Sequence, residues 1–283
     1  MPLILFTHAN SFPAATYRVL LDSLRARGYT VEAIEQLGHD PRYPVTNNWP
    51  HLVQQLADFT TEAVARHGQP ALLVGHSLGG FLSLMVSARH PLLARGVLLL
   101  DSPLVGGWRA TTLGAFKRAK MVEVVSPGKI SRTRRQHWAN AAAALAHFQA
   151  KKAFARWEPQ VLQDYICYGT RDEGGQRVLG FDRAVETAIY NSFPDNLEAL
   201  LRRRPLQCPV AFIGGTQSAE MRQIGMALTT KITKGRTMML DGSHLFPMEK
   251  PLATAAAIEA ALLNMETISA PAAAPAPPGP QSA

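Results

Sequence analysis

A serine set among glycines, Gly75-His76-Ser77-Leu78-Gly79-Gly80, lies between an apolar run, Ala71-Leu72-Leu73-Val74, and a small-residue, helix-like stretch from Phe81 to Val86. The implied order is strand, sharp turn, helix, with Ser77 at the apex. The Gly-x-Ser-x-Gly spacing has a physical basis. The turn forces Ser77 into strained dihedrals, and the flanking glycines let strand and helix pass closely without a Cβ clash. A hydroxyl so placed stands out above a sheet, and the Leu78 N–H, at the start of the helix, points at an oxyanion developing there. Such a serine does nucleophilic acyl chemistry.

A serine nucleophile needs a base. The chain has nine histidines, so position has to select among them. His244 alone follows a late strand, Met238-Met239-Leu240, and a Gly242-Ser243 turn, and precedes a closing helix. His39 and His51 come before the nucleophile, and His137 and His147 fall in a region that breaks the pattern of the rest. His8 and His76 adjoin the motifs and read as residues that structure the loops beside Ser77.

With these residues in place the chain resembles an α/β-hydrolase-fold serine hydrolase, of the esterase and lipase type with a helical cap. The resemblance is carried by Leu5-Phe6-Thr7-His8-Ala9-Asn10, by residues 75–80 and by Gly242-Ser243-His244. It covers roughly residues 1–103 and 208–265. It implies that the loop after the first core strand gives the second oxyanion N–H. The usual His-Gly-x reads His8-Ala9-Asn10 here, so Asn10 takes that role beside Leu78. Alanine in place of glycine narrows the dihedrals open to this loop.

The resemblance also implies an acid after the next-to-last strand, and here the sequence departs from the pattern. The strand Pro209–Ile213 is followed by Gly214-Gly215-Thr216-Gln217-Ser218-Ala219-Glu220, with Gln217 and Ser218 at the expected places. Neither carries the charge that would stabilise an imidazolium. Two carboxylates remain: Asp101, which ends the strand Val97–Leu100, and Glu220. Asp101 is favoured because it closes a strand beside the nucleophile strand, where catalytic groups gather in open α/β sheets. Some esterases of the family resemble this arrangement and add a serine near the histidine, a part that falls to Ser218. A cap or turn formed with Ser102-Pro103 is the plainer reading of Asp101. A surface ion pair with Arg222 is the plainer reading of Glu220.

The elements that must hold these groups alternate. Strands are expected over Leu3–Thr7, Thr30–Glu35, Ala71–Val74 and Gly96–Leu100. Helices are expected over Thr16–Arg27 and over Trp49–His67, the latter with Pro50 in its first turn and Gly68 beyond its end. Repeated strand–helix units predict an α/β fold: a mostly parallel sheet of about six core strands, flanked by helices. The chain starts at what resembles the third strand of the full family fold, without the antiparallel hairpin that usually precedes it. Residues 104–207 lose the strand signals, with helices expected over Ala139–Lys152 and Ala184–Asn191. They read as an inserted helical cap, or lid, dividing a core of 1–103 and 208–268. Trp108, Phe116, Trp138, Phe148, Trp157 and Tyr165 are its acyl-pocket candidates or, for most of them, its own core. Residues 269–283 are Ala/Pro-rich and read as a disordered tail.

The chain has 283 residues, 47% of them apolar, enough for one catalytic core with an insertion. Its two cysteines, Cys167 and Cys208, make neither a disulfide framework nor a metal cluster, and read as buried or incidental. No cofactor and no metal are expected. The N-terminal apolar run is too short for a signal peptide or a membrane span, and no later segment is long enough, which predicts a cytoplasmic protein. The formal charge of +8 sits in residues 104–207, which hold 17 Lys/Arg against 9 Asp/Glu, while the remainder balances at 12 of each. A basic cap steers anionic small molecules toward the site, or is simply a solvated surface. No nucleic-acid-binding pattern accompanies the charge.

Together these readings predict a serine hydrolase that cleaves a carboxylic ester with Ser77, His244 and Asp101, its oxyanion held by Asn10 and Leu78. The same triad serves thioesters, lactones, amides and C–C bonds. The missing acid after Ile213 also allows a binding protein that has lost the chemistry. A dehalogenase would need a carboxylate at Ser77, a metalloprotease a His-Glu-x-x-His, and a nucleotide enzyme a phosphate loop; none is present.

Overall fold

A computed structural model describes residues 1–119, 121–122 and 127–269. The chain opens with β1 (Leu3–Thr7), α1 (Arg18–Ala26), β2 (Thr30–Ile34), α2 (Pro50–His67), β3 (Ala71–His76), α3 (Leu78–Arg89) and β4 (Ala94–Leu100). Next come α4 (Gly107–Arg118), α5 (Gly128–Thr133), β5 (His137–Trp138), α6 (Ala141–Gln149), α7 (Pro159–Tyr168), β6 (Thr170–Glu173), β7 (Gln176–Leu179), α8 (Arg183–Asn191) and α9 (Leu197–Arg203). The last stretch is β8 (Val210–Gly215), α10 (Ala219–Ile224), α11 (Ala227–Thr233), β9 (Thr237–Leu240), α12 (Phe246–Glu249) and α13 (Pro251–Ser269).

Six strands form one parallel sheet in the order β2-β1-β3-β4-β8-β9. Its central strands, β1, β3, β4 and β8, are apolar on both faces because helices cover both. Alternate residues of these strands divide between two cores. Ile4, Phe6, Leu72, Val74, Leu98, Leu100, Ala211 and Ile213 pack with α1 and α13. Leu3, Leu5, Ala71, Leu73, Val97, Leu99, Val210 and Phe212 pack with α2, α3 and α9. The period-two division follows from the pleat, and it fixes the register of these central strands. Because all six strands run the same way, the loops after β1, β3, β4, β8 and β9 emerge at one edge. The strand order reverses between β1 and β3, which opens a crevice there.

The first helix begins later than its apolar pattern suggests. A 3-10 turn, Ala14–Tyr17, follows Pro13 and runs into α1. Trp49 lies outside α2, in the left-handed region at φ 57°, and Pro50 is the first helical residue. The region between β4 and β8 is not wholly helical: β5, β7 and β6 form a small antiparallel sheet. A two-residue strand and a hairpin through Gly174-Gly175 are too short to leave a period-two signal. Four of the six aromatic candidates there, Trp138, Phe148, Trp157 and Tyr165, are buried in one cluster, continuous with the α1/α13 core through Phe12. They pack against one another, Phe116 is half-buried, and Trp108 is exposed under the guanidinium of Arg109. Cys167 is exposed, so of the two readings, buried or incidental, burial does not apply to it; Cys208 is half-buried with its thiol pushed up to about 11, chiefly by desolvation. Helix α13 runs through Ser269, and the Ala/Pro-rich stretch beyond it lies outside the described residues.

Candidate active site

Ser77 sits between β3 and α3 at φ 51° and ψ −114°, a conformation that a residue bearing a Cβ rarely adopts. Its surroundings hold it there. The Ser77 N–H donates to Leu100 O at 2.9 Å, and the Ser77 carbonyl accepts from the Gly80 N–H at 3.0 Å. The flanking glycines are needed for contact rather than for their own dihedrals. A Cβ at Gly75 would lie 2.2 Å from the Gly79 carbonyl carbon, and one at Gly79 would lie 2.0 Å from Thr7 O. One at Gly80 would meet the Ser102 hydroxyl at 2.2 Å. The elbow therefore presses α3 directly against the end of β1, beside the loop that carries Asn10.

That loop already has a use for one of its N–H groups. Ala9 N–H donates to the Tyr17 hydroxyl at 3.1 Å. No main-chain acceptor is recorded for the N–H of Asn10 or of Leu78 among the described residues. The Asn10 side chain is buried, and its amide donates to Glu186 O at 3.1 Å. Next to it Ser11, at φ 81°, donates from its hydroxyl to the Glu186 carboxylate, which also pairs with Arg134 at 2.7 Å. Arg134 in turn donates to the Tyr165 hydroxyl at 2.9 Å. This buried network ties the Asn10 loop to α8, α7 and the segment after α5. It carries no sequence signature, because its members are spread from residue 10 to residue 186.

Asp101 follows the last residue of β4. It is fully buried, and at φ 42° the chain leaves the strand sharply there. Its N–H still donates to Ile213 O at 2.8 Å, so the residue is anchored on β8 before the turn. Every direction around the carboxylate is used. Oδ1 accepts from Gly215 N–H at 2.8 Å, and Oδ2 accepts from the Ser218 hydroxyl at 2.6 Å and lies 2.6 Å from His244 Nδ1. Ser218 is itself buried and caps α10 by accepting from Met221 N–H at 3.1 Å. It therefore holds a helix start and the carboxylate with one hydroxyl. Gln217, its neighbour, points away, to Arg156 and Asp241.

His244 comes from beyond β9, so its loop must cross the end of β8 to reach Asp101. Gly215 makes that crossing possible: a Cβ there would lie 2.3 Å from Ser243 O. The loop is fastened from behind by Glu249, a buried acid on α12. Glu249 accepts from Ser243 N–H at 3.2 Å and from the Ser243 hydroxyl, and it pairs with Arg156 at 3.2 Å. It is fastened from the front by His76, whose Nε2 lies 2.9 Å from His244 O.

That contact settles the tautomer of His76. A carbonyl only accepts, so Nε2 carries the proton and Nδ1 accepts from the Tyr17 hydroxyl, 2.8 Å away. Ala9 N–H to Tyr17, Tyr17 to His76 and His76 to His244 O thus join the Asn10 loop, the elbow and the histidine loop in one line of hydrogen bonds. Burial, with the charge of His244 as a smaller cause, lowers His76 to about 3, so it stays neutral. His8 is likewise neutral, lowered by burial to about 4; its Nδ1–H donates to Ala9 O and its Nε2 accepts from Leu37 N–H. Both act on loops, as their places in the sequence suggest.

His244 titrates the other way. Burial works against its charged form, but the Asp101 hydrogen bond and the charges of Glu220 and Asp101 outweigh it, and its pKa is raised above the ordinary value. Glu220 does not pair with Arg222 in the way a surface ion pair would. It turns toward the site, its Oε2 lying 3.8 Å from His244 Nδ1 and 3.4 Å from the Ser218 hydroxyl. With Nδ1 committed to Asp101, Nε2 is the ring nitrogen left for proton transfer. The ligand atoms of Asp101, Glu220 and His244 lie within 4.8 Å of one another. The short Asp101–His244 bond commits two of the three donors to each other.

No helix among the described residues is long and apolar enough to cross a membrane. The sequence profile of the alpha/beta hydrolase family matches residues 4–257. A serine hydrolase-like protein of Dictyostelium discoideum is 26% identical over 270 residues, covering 83% of this chain and 68% of that protein. Among solved structures, E-2-(acetamidomethylene)succinate hydrolase superimposes with a TM-score of 0.72 at 20% identity, over 92% of this chain and 91% of that one. A peroxisomal alpha-beta-hydrolase of Saccharomyces cerevisiae gives 0.69 at 16% identity, over 97% and 79% of the two chains. The thioesterase domain from the curacin biosynthetic pathway gives 0.66 at 18%, over 91% and 90%. A six-stranded parallel sheet with a strained serine after its third strand, and a family profile that spans nearly the whole chain, place this protein in the alpha/beta hydrolase family.

Proposed function

We propose that this protein is a serine hydrolase of carboxylic esters, with Ser77 as nucleophile, His244 as general base and Asp101 as the acid that orients it. The observation that carries this reading is the Asp101–His244 bond of 2.6 Å, with the carboxylate also held by Gly215 N–H and Ser218. The Asp101 carboxylate supports this reading over that of a binding protein that has lost the chemistry, because Gln217 and Ser218 carry no charge for the histidine.

In this mechanism His244 Nε2 takes the Ser77 proton as the oxygen attacks the acyl carbon. Asp101 accepts from Nδ1–H throughout, which keeps Nε2 basic and stabilises the imidazolium. The N–H groups of Leu78 and Asn10 receive the oxyanion. His244 then gives its proton to the departing alkoxide, and water repeats the sequence on the acyl-enzyme. Losing one oxyanion donor typically costs about 3 kcal/mol of transition-state stabilisation. Residues 104–207 form the cap that walls the acyl site. Several of its basic groups are paired, as in Lys117–Asp195 and Arg134–Glu186, and the remaining excess favours anionic small-molecule esters. No metal or cofactor enters this scheme.

The test is hydrolysis of p-nitrophenyl acetate, butyrate and octanoate by the wild type beside Ser77→Ala. Turnover by the wild type and none by the variant supports the reading, and the chain-length ranking measures the acyl site. Equal rates in the two proteins would overturn it.

A further inference from the structure

Two carboxylates, not one, face the same nitrogen of His244. Asp101 Oδ2 lies 2.6 Å from Nδ1 on the buried side, and Glu220 Oε2 lies 3.8 Å from it on the side nearer solvent. Ser218 stands between them, but its single proton goes to the nearer oxygen, Asp101 at 2.6 Å, rather than to Glu220 at 3.4 Å. Ser218 also accepts from Met221 N–H, so it has nothing further to give Glu220. Apart from that long contact with Ser218, His244 is the only partner within pairing distance recorded for the Glu220 carboxylate among the described residues. Its side chain is 43% exposed and has the freedom to rotate, whereas Asp101 is fixed on every side.

We propose that Glu220 is a second carboxylate for His244: a positioning residue that adds its charge to the Nδ1 side of the ring and takes up the Nδ1–H when Asp101 is lost. This rests on the hydrolase reading above. Glu220 stands two or three residues beyond the place where the acid is expected after β8, at the start of α10 and close enough to serve the same ring.

Each element packed around His244 contributes to its electrostatics. His76, at the end of β3, is neutral, with its ring centroid 5.1 Å away. Asp101 after β4 and Glu220 on α10 are the two acids on Nδ1. Glu249 on α12 is neutralised by Arg156, and the exposed Asp241 by Lys250. Tyr190 on α8 is half-buried and pushed up to about 12, chiefly by desolvation, so it stays uncharged. Glu220 is therefore the one acid besides Asp101 whose charge bears on the ring without a basic partner recorded among the described residues.

The experiment is an NMR titration of the His244 ring in the wild type and Glu220→Gln, paired with turnover by Asp101→Ala and Asp101→Ala/Glu220→Gln, because alanine, unlike asparagine, leaves no donor that would force Nδ1 to accept. We expect Glu220→Gln to titrate at lower pH than the wild type, with the difference shrinking in high salt because the acid is half exposed. We expect the double variant to be at least about tenfold slower than Asp101→Ala alone, since Glu220 is then the carboxylate left within reach of Nδ1. Superimposed titrations in the wild type and Glu220→Gln would overturn the proposal, as would equal rates in the two Asp101 variants. The titration needs no turnover. A wild type that hydrolyses no ester would defeat the hydrolase reading while the ring's response still decided the role of Glu220.

Discussion

Replacing Asp101 with asparagine keeps the shape of the side chain and removes its charge, and the geometry dictates how the amide must sit. Two orientations are available. With the amide oxygen on Gly215 N–H, the bond made at 2.8 Å by Oδ1 is kept, and the NH2 faces His244 Nδ1 and Ser218. Nδ1 then has to accept, so the ring proton moves to Nε2, and the nitrogen needed for Ser77 is no longer a base. In the opposite orientation the NH2 confronts Gly215 N–H, donor against donor, in a site with no exposure. An unsatisfied buried donor costs about 1–3 kcal/mol, so the first orientation wins and the wrong tautomer results. A misplaced tautomer of this kind lowers kcat on the order of 10^4-fold, equivalent to roughly 5 kcal/mol of barrier. The assay is kcat on p-nitrophenyl butyrate, with circular dichroism to show that the variant is folded and a fluorophosphonate probe to count reactive Ser77. A folded Asp101→Asn within tenfold of the wild-type kcat would refute the assignment of Asp101 and the tautomer reasoning together.

Other consequences follow from the same contacts. Gly79→Ala should fail to fold or lose several kcal/mol of stability, because its Cβ would lie 2.0 Å from the Thr7 carbonyl oxygen, a backbone atom held in the sheet; soluble yield and Tm check this. Ser218→Ala removes a helix cap and one of the two hydrogen bonds on Oδ2 of Asp101, so it should cost about 1 kcal/mol in Tm-derived stability and lower kcat, with KM nearly unchanged; a wild-type kcat would refute the positioning role. The buried neutral histidines predict acid sensitivity. His8 and His76 take up protons in the unfolded chain below about 6.5 but in the folded one only near 4 and 3. Their contribution is therefore intact above pH 6.5 and is lost as pH falls, about 3 kcal/mol for each by pH 4. Urea unfolding at pH 7, 5.5 and 4.5 should show the decline, and His76→Gln should flatten it. Because His244 must be neutral to act and its pKa is raised, kcat/KM should rise with pH through a limb displaced above the ordinary histidine range; a limb displaced below it would contradict the Asp101 pairing.

The amino-acid sequence determined the parts of this protein whose physics is local. The Gly75–Gly80 spacing states that strand and helix cross within contact distance of each other, because only glycine lacks the atom that would prevent it. The unbroken apolar runs Leu3–Phe6, Leu72–Val74 and Val97–Leu100 are those of strands buried on both faces, as in a parallel sheet covered by helices. The place of Asp101, at the end of a strand beside β3, was legible for the same reason. The tertiary structure decided whatever depends on residues distant in the chain. The short strands between β4 and β8 leave no periodicity to detect. Glu220 turns toward His244 rather than Arg222 because α10 starts beside Ser218, and Ser218 is placed by the pairing of β8 with β4. Tyr17 joins Ala9 to His76, and Glu249 fastens the loop of His244, through bonds that no local pattern encodes. Chemistry with a fixed spacing along the chain is readable in one dimension. Orientation, tautomer and charge depend on which loops a sheet brings to one edge, and only the folded protein sets that.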